Sequence, residues 1–188
     1  MGVITAATIK HTTKACRWYL KRKLDFTKPT SARSAITNGI SKITPKASSN
    51  TNTKVSCSLI DRRAAGALAG VCAEFGVGLL AYGTVCGGWL SEKWLGRDEP
   101  AWETEGTWSQ MKYGRFIREA GGWAALQRVL HAAKEVADRH DVSLTNVATR
   151  FILEQPGVAA VIVGARLGER AHIDDNLRLC AFQLSRDD

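Results

Sequence analysis

No stretch of this 188-residue chain stays apolar for the ~20 residues that a helix needs to cross a bilayer. Its longest apolar runs, Val77–Tyr82 and Val158–Val163, have the length of buried strands, so no membrane partner is expected. Cysteine is scarce and unpatterned. Cys16, Cys57, Cys72, Cys86 and Cys180 form no C-x-x-C pair, which excludes a zinc ribbon and a dithiol redox motif, and an odd count argues against a disulfide scaffold. Small buried hydrophobes in a reducing compartment are the expected role. No metal-ligand spacing appears, and no repeat recurs at a fixed period. Acid is nearly missing from one end. Residues 1–54 hold eight Lys and three Arg against a single Asp25, a net +10, so the remainder carries −2 of the whole-chain +8. The basic character belongs to that segment. Averaged over the chain it would falsely suggest a nucleic-acid binder, and no nucleic-acid partner is expected.

What is present divides at about residue 55. The stretch Thr27–Thr53 alternates small polar residues with Lys and Arg and holds two prolines. It has too little apolar content to offset the entropy of ordering, so 1–54 is read as a basic, low-complexity, disordered segment. Within it His11–Leu24 suits a short basic helix. Low acid and abundant hydroxyls fit an organellar transit peptide loosely, leaving an organelle as the alternative to a cytoplasmic location. Met1-Gly2 starts like an acylation signal, but Ala6 stands where Ser or Thr is wanted.

Past the junction, Val55–Ile60 reads as a strand. Ala64–Phe75 reads as a helix whose Ala65, Leu68, Val71/Cys72 and Phe75 share a face, and Gly76 stops it. Val77–Ala81, bounded by glycine, reads as a strand buried on both faces, which predicts a right-handed parallel crossover. Gly87–Gly121 looks long, aromatic and irregular. Trp123–Arg139 is an amphipathic helix, with His131 near its apolar face and His140 serving its C-terminal end. Ser143 is a plausible N-cap for a helix that carries Leu144, Val147, Ala148, Phe151 and Ile152 and ends at Pro156-Gly157. Val158–Val163 is a further strand and Ala171–Leu179 a last short helix. Helices interleaved with apolar strands define an α/β fold with a parallel sheet.

Ligands of such sheets sit at the carboxyl ends of the strands. Two ends stand out: Ala81-Tyr82-Gly83-Thr84 with Gly87-Gly88, and Gly164-Ala165-Arg166 ahead of a helix with His172, Asp175 and Asn176. The second combines a glycine that permits close approach, a helix N-terminus suited to phosphate and a guanidinium. Tyr82 is either a platform for a cofactor ring or an ordinary rim aromatic. Glu103, Glu105, Asp174 and Asp175 make no recognisable acid/base pair.

Several motifs in order resemble one family. Ser58-Leu59-Ile60-Asp61-Arg62-Arg63 and Leu79-Leu80-Ala81-Tyr82-Gly83-Thr84 with Gly87-Gly88 are similar to the sixth and seventh barrel strands of aldo/keto reductases. Val147–Leu153 before Pro156-Gly157-Val158 resembles that family's penultimate helix. Val161–Arg166 and Ile173–Leu177 resemble its last strand and cofactor-clamping helix. The resemblance spans residues 55–188. It implies the C-terminal half of a (β/α)8 TIM barrel and hydride exchange between NADP(H) and a small-molecule carbonyl or alcohol. By resemblance Tyr82 would stack on nicotinamide, while Gly83, Thr84, Val85 and Gly87 would line the pyrophosphate and ribose. Gly164, Ala165 and Arg166 would approach the adenosine phosphates, Arg166 being the candidate for the 2′-phosphate. His172, Asp175 and Asn176 would hold the adenine end, and the loop Trp89–Gly121 would fold over the cofactor. The family's catalytic Tyr, Lys, Asp and His lie on its first four strands, which residues 1–54 do not resemble, and Ser56 stands where many members carry a nicotinamide-binding Gln. The expected protein is therefore a fragment with no catalytic set of its own. The alternative is a non-catalytic dinucleotide-binding or dimerising half-barrel, associating through two open sheet edges and an uncovered inner face.

Overall fold

The computed structural model describes residues 4–9, 51–101, 106–165 and 172–188. Four strands form one sheet in the order β1-β4-β3-β2, where β1 is Ile4–Ile9, β2 Asn52–Ser56, β3 Gly78–Tyr82 and β4 Val158–Ala165. β2, β3 and β4 run parallel, as the alternating pattern predicts. β1 runs antiparallel along β4, with Ile4 opposite Ala165 and Ile9 opposite Ala160. This differs from the expectation of two open parallel edges, because the outer edge of β4 is covered.

The helices are α1 (Ala67–Glu74), α2 (Trp108–Glu119), α3 (Gly122–Arg139), α4 (Leu144–Leu153) and α5 (Ile173–Arg178). With the strands they make an α/β arrangement, as the interleaved pattern predicts. The expected disorder falls, up to residue 50, outside the described residues except at β1, and so does the expected helix His11–Leu24. Asn52 and Thr53, expected in the disordered stretch, are strand residues, so the boundary drawn at 55 falls inside β2. That strand was expected at Val55–Ile60. Its polar start, Asn52-Thr53-Lys54, hid it, because the outward residues of an edge strand are solvated.

Two cores hold the chain together. Leu79 and Ala81 of β3, Val161 and Val163 of β4, Ala69 and Cys72 of α1 and Ile152 and Leu153 of α4 fill the helix side of the sheet. β3 alternates, with Leu79 and Ala81 buried and Leu80 and Tyr82 only half-buried, so it is not buried on both faces as expected. The second core joins Leu126, Leu130 and Val136 of α3 to Phe116 and Ile117 of α2, Leu144, Val147 and Ala148 of α4, and Trp89, Leu90 and Trp94. Trp89 and Trp94 stack with centroids 4.4 Å apart, and Trp123 meets both edge-on at 6.0 Å.

Three expectations need correcting. α1 buries Ala69 and Cys72, while Leu68, Val71 and Phe75 are exposed, so the expected apolar face looks outward. His131 is solvent-facing and is no core group. The loop Gly87–Gly121 contains short 3-10 turns at Cys86–Gly88 and Glu92–Trp94, and the whole of α2. His140 is the C-terminal cap residue of α3, and its ring pairs with the Asp188 carboxylate. No helix among the described residues is long and apolar enough to cross a membrane.

Candidate functional site

The carboxyl ends of β3 and β4 lie side by side, because Tyr82 is in register with Ile162 on the neighbouring parallel strand. This places Tyr82-Gly83-Thr84 beside Gly164, two residues past Ile162, at one mouth of the sheet. The structure therefore brings the two expected clusters together. Tyr82 is half-buried, with its side chain on the alternate face from Leu79 and Ala81.

After Tyr82 the chain turns at Gly83, whose φ of +72° favours glycine. Thr84 is buried, and its Oγ1 lies 3.1 Å from that of Thr149 on α4. Its side chain anchors the turn to the helix beneath rather than facing the mouth. Cys86 follows with φ +49° and donates its thiol hydrogen to Ser58 Oγ at 3.1 Å. Burial pushes that thiol up to about 11, so it stays protonated near neutrality and is no nucleophile. Cys86 is buried, as expected of a small hydrophobe, and adds this hydrogen bond to that role. Val85 is half-buried, and Gly87 turns with φ +68°.

Close approach at this turn is made by α2. A Cβ on Gly83 would overlap the Tyr113 hydroxyl and come within 2.9 Å of its Cζ. One on Gly87 would come within 2.9 Å of the Ser109 carbonyl group. Burial raises the pKa of the Tyr113 phenol. Lys112 Nζ sits 5.5 Å from the centroid of Tyr82 and 5.2 Å from that of Tyr113. Sequence reading missed α2, yet the signal was there. Thr107 and Gln110 form a reciprocal capping box, Thr-x-x-Gln, in which each side chain accepts from the other's backbone N–H.

On the β4 side Gly164 is exposed, and a Cβ there would meet nothing within 4 Å among the described residues, which leaves room beside it for a ligand. Ala165 ends β4, and Arg166 lies outside the described residues. α5 is tied to this end by Asn176, whose Nδ2 donates to the Gly164 carbonyl at 3.3 Å. Asp175 is committed inward, because its carboxylate accepts from Ser143 Oγ at 2.9 Å and Asn146 Nδ2 at 3.1 Å. His172 is exposed at the start of α5 and makes no side-chain cap. Asp174 and Asp175 occupy the first turn of that helix and weaken its appeal to phosphate.

Behind β2, Asp61 grips the chain. It accepts from Arg63 Nε at 2.7 Å and from the second guanidinium nitrogen at 2.9 Å, and this holds its carboxyl below the usual range. Among the described residues no group of three His, Cys, Asp or Glu converges as a metal site would require.

Parallel strands interleaved with helices in this order define part of a TIM-type α/β barrel. Residues 40–188 match the aldo/keto reductase family, and the chain belongs to it. Protein tas of Escherichia coli (strain K12) is 31% identical over 130 residues, covering 69% of this chain and 35% of that protein. Flagellar radial spoke protein 5 of Chlamydomonas reinhardtii is 35% identical over 86 residues, covering 45% of this chain and 16% of its own length. A glycerol dehydrogenase from Gluconobacter oxydans superposes with a TM-score of 0.55 at 15% identity, over 80% of this chain and 42% of that one. The chain thus spans less than half the length of these relatives.

Proposed function

We propose that this chain forms the dinucleotide-holding half of an NADP(H)-dependent aldo/keto reductase, acting with a catalytic set that its own sequence does not match. The observation that supports it is the placement of Tyr82-Gly83 and Gly164 on adjacent parallel strand ends within the family-matched stretch. The residues fit a dinucleotide on the β4 side, where the backbone at Gly164 is open to close approach. The bound nicotinamide would supply hydride to a carbonyl. In this reading Tyr82 offers a flat face to the nicotinamide, and Gly83, Val85 and Gly87 the turn beside the pyrophosphate. Gly164, Ala165 and Arg166 approach the adenosine phosphates. Thr84 and Asp175 act indirectly, holding the β3 turn and α5 against α4, while Asn176 and His172 flank the adenine end.

Calorimetric titration of the purified full chain tests this reading. NADPH should bind saturably and more tightly than NADH, and no carbonyl reduction should follow, because a positioned proton donor of the family type is lacking. Failure of both nucleotides to bind would refute it.

A second reading has its own support. β2 is an outer strand of the sheet, and α1 exposes Leu68, Val71 and Phe75, with Phe75 70% exposed. Such a face beside a strand edge suits burial against another half-barrel, and a second copy of this chain is the simplest source. Light scattering should then give twice the monomer mass of 20.5 kDa. A monomer at tens of micromolar would exclude self-association of useful strength.

A further inference from the structure

A closed barrel has no sheet edge, whereas the described strands form an open sheet in the order β1-β4-β3-β2. The sides of this sheet differ in chemistry. β2 begins Asn52-Thr53-Lys54, with Asn52 and Lys54 exposed, a short, polar, Lys-bearing strand of the kind that natural sheets leave at an edge. β4 has no such protection of its own. Its sequence, Val158-Ala159-Ala160-Val161-Ile162-Val163-Gly164-Ala165, is rich in β-branched residues and holds neither charge nor proline. That composition suits a strand that recruits identical strands. Among the described residues, β1 is the element laid along its outer side, antiparallel, from Ile9 opposite Ala160 to Ile4 opposite Ala165. The pairing of β3 with β4 reaches Ile162, so Val163, Gly164 and Ala165 have β1 as their sole ladder partner among the described residues.

We infer that the N-terminal segment is a built-in edge guard: β1 occupies the outer side of β4 and keeps a second copy of this chain from adding its own β4 there. This goes beyond the dinucleotide reading and does not depend on it. It also gives the basic segment a role that the candidate site leaves unfilled. β1 is carried on residues 1–54, whose net charge is +10, so two copies that approach through β1 bring like charges together. Two uncovered β4 edges would meet with no charge on either strand and with every ladder group ready to pair. Covering β4 with β1 therefore replaces an adhesive edge by a repelling one.

Single prolines test the guard. In an antiparallel ladder alternate residues point their N–H at the neighbouring strand, so of the adjacent Ala6 and Ala7 one donates to β4 and the other faces away. Proline removes the donor in the first case and is tolerated in the second. Ala6→Pro and Ala7→Pro are compared with the parent as full chains, with folding checked by circular dichroism. The variant that loses the donor should form species of at least twice the parent's mass in light scattering at equal concentration, and the other should keep the parent's mass. Hydrogen exchange at high dilution should show the Val163–Ala165 amides protected in the parent and stripped of that protection in the affected variant. A synthetic peptide of residues 3–10, added in excess, should return the affected variant to the parent's mass, whereas a scrambled peptide should not. This separates an uncovered edge from general unfolding. Both variants keeping the parent's mass would overturn the guard, and so would a larger species that the β1 peptide leaves unchanged. Should the affected variant fail to fold, Ala6→Gly/Ala7→Gly, which loosens β1 and keeps every donor, takes its place with the same expected rise in mass and the same rescue.

Discussion

Gly83 and Asp61 carry the sharpest expectations at the scale of single residues. Gly83→Ala meets two costs, a left-handed backbone of about 1–2 kcal/mol and an overlap with Tyr113. In a Tyr113→Ala background only the backbone cost remains. A double-mutant cycle by urea unfolding should therefore show favourable coupling of about 1 kcal/mol or more, and additive losses would place Tyr113 elsewhere. Asp61 titrates in the opposite sense to a buried unpaired acid. Its carboxyl is held low first by the bond from Arg63, so its stabilisation is present above the ordinary carboxylate pKa and disappears as pH falls through the lowered folded value. Because Arg63 is largely exposed, the discounted worth is about 1 kcal/mol. Asp61→Asn should lose that much at pH 7 and progressively less as pH falls through the lowered folded value, and a loss that grew in acid would contradict the pairing.

Among the elements, α4 is the hub. Ser143 caps it, accepting from the Asn146 N–H and Nδ2, and donates to Asp175, so one hydroxyl fastens both α4 and α5. Glu92 adds a carboxylate that accepts from the Leu144 N–H. Ser143→Ala should cost about 1–2 kcal/mol, above a plain cap, and should raise exchange in α5. Phe75→Ser on the outward face of α1 should change monomer stability by less than about 0.5 kcal/mol. The contrast between these two helices shows what the sequence made legible. α3 and α4 concentrate apolar residues on one stripe, so their positions, the Ser143 cap and the β3 and β4 strands were readable. α1 is apolar on several sides, and the small Ala69 and Cys72 rather than Leu68 and Phe75 face the sheet, because a helix crossing close to strands needs small residues there. Periodicity cannot choose between two apolar faces. α2 escaped because glycines and tryptophans before it read as loop, although its capping box marked the start. The two strand-end clusters were legible as neighbours; the close approach of Tyr113 to Gly83 and Gly87 in the first of them was not, since it depends on where α2 folds back.

For the molecule as a whole, three parallel strands flanked by β1 bring the carboxyl ends of β3 and β4 to one mouth. The fold is a part of a barrel, with the exposed apolar face of α1 and the outer strand β2 on its border. The most direct test is an NADPH fluorescence titration comparing the parent chain with Tyr82→Ala and Gly164→Val. A Cβ at Gly164 meets no atom of the described residues within 4 Å, so that variant should fold normally and intrude on the ligand. Each substitution should weaken binding by about tenfold, roughly 1.4 kcal/mol, with melting temperature nearly unchanged. Saturable binding indifferent to both changes would mean that Tyr82 and Gly164 do not share a dinucleotide.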